Sequence, residues 1–293
     1  MHLSKVLLYP RAQEISYRKY LTNLVKELER NTRSVIAYYQ KVQETIIADS
    51  AIITDGYIDD IEQLLSLIKG YDFNDLLVQD LLVRALNLKQ FSTSQVIKSL
   101  GNIFKVQSPI DSPTVNNLGL NTFQNNLLRP NITELTKGWA VNNARLIKSI
   151  EAQYLDNVSR TMFEAYKNGT SVKTLKEQLI KDYNISENRA QLIARDQIAK
   201  LNSNYVEDEH KLLGIKYYVW EDSNDIAVRP SHRVMNGKIC RWDDPTVYKD
   251  HYEDTVWKKR KSIGGVELHW GQDYQCRCTC RAIIPSFRAI KVA

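Results

Sequence analysis

At 293 residues, with 43% hydrophobic and 25% charged residues, the chain has the profile of a protein that buries a core, as one large domain or two ordinary ones. No apolar run approaches the length that crosses a bilayer, and four Cys are too few for a disulfide-built secreted scaffold, so neither class is expected. The net charge of +6 is modest: from Gly214 onward fourteen Lys and Arg face ten Asp and Glu, too small a surplus to make nucleic-acid binding the leading idea.

The N-terminus, MHLSKVLLYPRAQE, has a short apolar patch without a cleavage site, which predicts synthesis in the cytoplasm. From about Ile15 to Leu100 the apolar spacing is helical. Leu21, Leu24, Val25 and Leu28 form one stripe, which Val35, Ile36, Tyr39, Val42 and Ile46 continue. Asp55-Gly56 interrupts the pattern; Ile58, Ile61, Leu65 and Ile68 resume it, and Gly70 is a helix C-cap candidate. Two further amphipathic pieces are expected near 73–89 and 93–105. Residues 106–117, VQSPIDSPTVNN, read as a linker.

A long helix is predicted from about Ile132 to Lys167, with Leu146, Ile150, Tyr154, Val158 and Met162 stepping by four, and Asn168-Gly169 stops it; Ser171 is expected to cap a short helix carrying Val172, Leu175 and Leu179. Ser186 is predicted to N-cap the next helix, whose buried side is Ala190, Ile193, Ala194 and Ile198, and Gly214 to end it. Beyond Gly214 the texture changes. The run from Ile215 to Trp220 predicts a strand, Asn236-Gly237 predicts a hairpin joining RVM to KICRW, and CRCTCRAII predicts a third strand. The expected fold class is α+β: helical for the N-terminal two-thirds, then a small antiparallel β module on a long helix. The division is 1–105, a linker at 106–117, a helical region at 118–213 leading into the motif helix, and a β-rich module at 214–293.

All four cysteines and four of the five Trp lie between Ser186 and Pro285. In a strand Cys276, Cys278 and Cys280 share one face, and Arg277, Thr279 and Arg281 the other. With His232 and Cys240, the thiols of Cys276 and Cys278 are candidate ligands for Zn²⁺; the alternative is that the cysteines are buried small hydrophobes. Asp222, Asp225, Arg229 and His232 form a second constellation. One reading is acid–base or metal chemistry; the other is an Asp225–Arg229 pair that orders the loop, with His232 donating to a backbone carbonyl. No nucleophile motif, phosphate loop or HExxH helix accompanies them, so no catalytic residue is assigned. The basic run 258–261 reads as a solvated loop inside a polar insertion, TVYKDHYEDTVWKKRKSIGG.

In order, RAQLIARDQIAKLN, GIKYYVWEDSNDIAVRPSH, NGK, WDDP and HWGQDYQCRC resemble the signature of the Mu F-like minor head proteins of tailed phages, the phage head morphogenesis family. NGTSVKTLKEQLIKDYNIS resembles the helical lead-in of that family. The resemblance covers about Asn168 to Pro285. It carries over Arg189, Arg195, Trp220, Asp225, Arg229, His232, Gly237, Cys276, Arg277 and Cys278 as motif positions. The family commonly has His-Pro-Gly where this chain has His269-Trp270-Gly271, so the turn there is expected to differ, and Cys280 is an additional Cys.

The resemblance implies a virion component made in the host cytoplasm, present in few copies at the head interior or portal vertex, and acting in head assembly and DNA packaging or ejection. Its implied partners are the portal protein and the major capsid protein, with packaged DNA touched weakly and electrostatically and no membrane contact. It would be oligomeric within the virion. Related proteins fuse this module to toxins; only eight residues follow Pro285, so none is expected here. Residues 1–105 would then be a docking region whose removal leaves the C-terminal module folded. The rival expectation is a hydrolytic or metal-dependent enzyme using Asp225, His232 and the Cys cluster.

Overall fold

The computed structural model describes residues 2–48, 75–106, 134–168 and 170–284. The Asp55-Gly56 break, the Gly70 cap and nearly all of the expected linker lie outside them. In chain order the elements are β1 (His2–Leu3), α1 (Arg11–Ala48), α2 (Asp75–Val106), α3 (Glu134–Lys167), α4 (Val172–Leu212), β2 (Tyr217–Glu221), α5 (Pro230–Arg233), β3 (Ile239–Arg241), β4 (Asp244–Lys249), β5 (Lys258–Lys259), a 3₁₀ turn (Arg260–Ile263) and β6 (Thr279–Ile284). Among the described residues, four long helices followed by a small antiparallel sheet make the fold α+β, as expected.

The chain divides into two compact units, both discontinuous in sequence. The first gathers residues 1–14, 83–136 and 195–293; the second gathers 15–82 and 137–194. The expected separation of 1–105 from the C-terminal module is therefore corrected. β1 hydrogen-bonds to β6, Leu7 donates its N–H to the Cys280 carbonyl at 3.1 Å, and Leu7, Val96 and Leu100 lie in the same apolar cluster as the sheet.

In the second unit Leu21, Leu24, Val25 and Leu28 of the predicted α1 stripe are buried, as are Ile150, Tyr154, Val158 and Met162 of the α3 stripe, whose Leu146 is only half-buried. Two buried hydroxyl contacts tie these helices, Tyr17 to Asn143 at 2.8 Å and Thr32 to Tyr154 at 3.0 Å.

Two predicted helix breaks are absent. The pieces near 73–89 and 93–105 are one helix, α2, because its polar centre is satisfied in place. Ser92 Oγ reaches the Leu88 carbonyl at 2.9 Å and Asn202 on α4 at 2.8 Å, and Thr93 donates to Glu209 at 2.9 Å. Ser171 does cap α4, accepting the Thr174 N–H at 3.2 Å, but Ser186 caps nothing. It is buried within a helix that runs uninterrupted from Val172 to Leu212, and no Gly or Pro lies between those bounds to stop it. The stop comes where expected, at Gly214, whose φ of +69° favours glycine.

The six strands among the described residues are ordered β1-β6-β2-β3-β4-β5, with every neighbouring pair antiparallel. Period-2 alternation sends Tyr218 and Trp220 of β2, with Cys280, Ala282 and Ile284 of β6, into the main core. Val219, Ile239 and Ile283 form a smaller cluster with Tyr217 and Trp257.

The hairpin expected at Asn236-Gly237 is corrected, because RVM is not a strand. Arg233 ends the short helix α5, and Gly237, at φ +76°, turns that helix into β3 while its N–H bonds the Trp220 carbonyl at 2.8 Å. The tight hairpin is β3–β4, closed by Trp242-Asp243 between the paired Arg241 and Asp244. The basic run 258–261 is likewise not a loop, since it forms β5 and the start of the 3₁₀ turn, and the polar insertion around it supplies most of β4.

Candidate functional site

The site is built where α5, β6 and the turn before β6 meet on the first unit. The turn, His269 to Gln275, lies along α4. Ser203 Oγ donates to the Trp270 carbonyl at 2.5 Å, Asp196 accepts the Gln275 N–H at 3.2 Å, and Arg195 donates to Gln275 Oε1 at 3.3 Å. Gly271 permits this approach: at φ +75°, a Cβ there would stand 2.9 Å from both the Ala199 carbonyl oxygen and Ser203 Cβ. Arg195 also bridges to buried Glu14 at 3.5 Å, so α1's first turn supports the same corner.

From this turn Cys276 and Cys278 enter the interior, short of β6, which begins only at Thr279. They meet His232 of α5. Its Nδ1 lies 3.4 Å from Cys278 Sγ and 3.5 Å from Cys276 Sγ, and its Nε2–H donates to Asp273 Oδ2 at 2.8 Å. All three are buried, at 2–3% exposure. Asp273 is held in turn by Arg229 at 3.0 Å and by the Tyr274 N–H at 2.8 Å. Cys276 Sγ accepts the backbone N–H groups of Gly271 at 3.2 Å and Cys278 at 3.4 Å. Trp220 stands edge-on to the His232 ring at 5.8 Å. Its buried indole N–H has no hydrogen-bond partner.

The electrostatics follow from these contacts. The Cys278 hydrogen bond, then His232 working against burial, draws the Cys276 thiol down to about 5, and Cys278 is pushed up in return. Burial pulls the His232 imidazole down, but its bonds to Cys276 and Asp273 outweigh that and the net shift is upward. The cluster therefore favours one thiolate, one thiol and a basic imidazole. Cys276, His232 and Asp273 also stand in the order of a nucleophile, base and orienting carboxylate. A sulfur 2% exposed is poorly placed to attack an external substrate, and suits holding something better.

The predicted pairings are rearranged. Asp225 does not pair with Arg229; it bridges to Arg277 at 2.7 Å and caps its own loop through the Ala227 N–H at 2.9 Å. Arg229 is taken by Asp273, and His232 binds a carboxylate and sulfur rather than a backbone carbonyl. Asp222 caps the Asn224 N–H at 2.8 Å. Of the four candidate metal ligands, the structure brings together His232, Cys276 and Cys278, whereas Cys240 lies apart beside Tyr218 and Arg260. Arg189 belongs to the other unit, where it donates to Gln153 and Ser149.

Two residues escaped the sequence reading. Asp273 lies inside the quoted HWGQDYQCRC run, three positions before Cys276, and that spacing was its only signal. Arg260 sat in the run taken for a solvated loop, yet it is fully buried. It donates to the carbonyls of Val247 at 3.0 Å, Val266 at 3.2 Å and Leu268 at 2.7 Å, with its guanidinium 5.6 Å from the Trp220 ring centre.

Comparison with known proteins places these residues. An uncharacterized protein of Haemophilus influenzae is 36% identical over 149 residues, which is 51% of this chain and 29% of the relative. No solved structure matches. The family described as Phage Mu protein F like protein matches residues 156–281, a span that holds every motif position from Arg189 to Cys278. Over residues 156–281, therefore, the chain is similar to the Mu F-like family.

Proposed function

We propose that this protein is a structural component of a phage head, present in few copies with the portal and the capsid interior, and acting in head morphogenesis and DNA packaging or ejection. The observation that carries the reading is the Mu F-like match over residues 156–281. The site's chemistry agrees with it: Asp225, Arg229, His232 and Asp273 are engaged with partners inside the protein. Among the described residues no helix is long and apolar enough to cross a membrane. The partners we assign are the portal protein and the major capsid protein, with DNA touched only through weak, salt-sensitive phosphate contacts.

The test is made in the phage or prophage that encodes the chain. Heads are purified from parental and gene-deleted lysates and their proteins counted by quantitative mass spectrometry. The protein is expected to co-purify with heads in substoichiometric amount relative to the capsid protein, and the deletion to lower the yield of filled, infectious heads. Recovery of the protein wholly outside the heads would overturn the reading. A Cys276→Ala variant that is stable and fully incorporated yet inactive would replace it with a catalytic one.

A further inference from the structure

We propose that His232, Cys276 and Cys278 bind one soft divalent ion of the Zn²⁺ class, through His232 Nδ1 and the two sulfurs. Asp273 holds the far side of the imidazole.

Three ligand atoms of the right kind converge, all within 4.8 Å of one another and all buried. Zn–S bonds of about 2.3 Å and Zn–N bonds of about 2.0–2.1 Å, set at a tetrahedral angle, put a ligating nitrogen and sulfur about 3.6 Å apart. His232 Nδ1 stands 3.5 Å from one sulfur and 3.4 Å from the other. The imidazole is also oriented for the task. Donation from Nε2 to Asp273 leaves the Nδ1 lone pair facing the sulfurs, the carboxylate–histidine arrangement that supports metal-bound imidazoles elsewhere. Arg229 and the Tyr274 N–H fix that carboxylate in turn.

The surroundings of the sulfurs are donors. Two backbone N–H groups address Cys276, and the indole N–H of Trp220, a buried residue edge-on to the His232 ring, has no hydrogen-bond partner. Two thiolates at this depth without a counter-charge would be costly. A dication cancels both, while Asp273 is already balanced by Arg229. Binding releases to water every proton still on the sulfurs or on Nδ1 and leaves the imidazole neutral, with Nδ1 on the ion and its proton on Nε2. Thiolate ligands select Zn²⁺ over Mg²⁺ or Ca²⁺. Three protein ligands leave the fourth corner to a water molecule, so the ion is removable by a strong chelator. Its effect is to pin α5 to the turn before β6, where Cys276 and Cys278 precede the sheet ladder.

The test uses the full chain, purified under reducing conditions from zinc-supplemented medium. About one zinc per chain is expected by emission spectrometry. After stripping, Co²⁺ titration is expected to give thiolate-to-metal charge-transfer absorption that saturates at one equivalent and is displaced by Zn²⁺. Cys276→Ala and Cys278→Ala are each expected to abolish the band, and Asp273→Asn to weaken Co²⁺ binding by about 10–100-fold. Cys240→Ala and Cys280→Ala are expected to leave it intact. The wild-type titration stands even if a ligand variant fails to fold. Absence of both zinc and the cobalt band in the wild-type chain means a purely hydrogen-bonded cluster and overturns the proposal, as does a band that survives loss of Cys276 and Cys278.

Discussion

His210, wholly buried on α4, accepts the indole N–H of Trp242 at 3.2 Å, and burial presses its pKa down to about 3. In the unfolded chain an imidazole titrates near 6.5. The unfolded state therefore binds the extra proton between those values, so the contribution is complete above about pH 6.5 and is lost as pH falls toward 3. Unfolding midpoints followed by Trp fluorescence, which reports mainly on the first unit, are expected to fall across that window at up to about 1.4 kcal/mol per pH unit. His210→Gln should flatten the dependence; a variant that tracks the parent would remove His210 as its cause. Arg260 gives a second test at this scale. Arg260→Met strands three buried carbonyls and should cost about 3–5 kcal/mol in urea unfolding, because a hydrogen-bonded buried charge is lost without a replacement donor. A cost below about 1 kcal/mol would mean those carbonyls find other donors.

Among elements, the turn from His269 to Gln275 depends most on one backbone position. Gly271→Ala meets both a positive φ and contacts of 2.9 Å, whereas Gly214→Ala meets a positive φ with open space around it. The second change should cost about 1 kcal/mol and the first clearly more, about 2–4 kcal/mol, when the two are compared by thermal unfolding. Equal costs would show that α4 and the turn can separate at no penalty. Helix α4 carries the complementary lesson. Its Ser186 has the composition of a cap and the environment of a core residue, and burial over the full helix overrides a local preference of about 1 kcal/mol.

For the whole molecule, the consequence lies at the N-terminus. Residues 1–14 belong to the unit that holds the sheet, and Leu7, 3% exposed, is part of its main cluster. Leu7→Ala should therefore destabilise that unit by about 2–4 kcal/mol, and removal of the residues before Tyr9, which strips β1 from β6, should do so further. The readout is the urea midpoint from Trp fluorescence, since four of the five Trp lie in this unit. An unchanged midpoint would restore the view that the C-terminal module is independent of what precedes it.

Periodicity and punctuation were legible in the sequence because they are local. The stripes of α1 and α3, the β2 strand and the stop at Gly214 each depend on neighbours within a turn or two. The order of the motif blocks carried the resemblance to the Mu F-like family for the same reason, since it is written along the chain. Partner choice was not legible. Several aspartates and arginines were available near the site, and only the path of the turn along α4 put Asp273 against His232 and Arg229, leaving Asp225 to Arg277. Cys240 resembles the other thiols in sequence, but β3 carries it to Tyr218 and Arg260 instead of His232. β1 joins β6 from the opposite end of the chain, and just beyond β1 the Ser4 hydroxyl accepts the Ala282 N–H across 278 residues. Contacts of that span are set by how strands and helices cross in space, and no local preference encodes them.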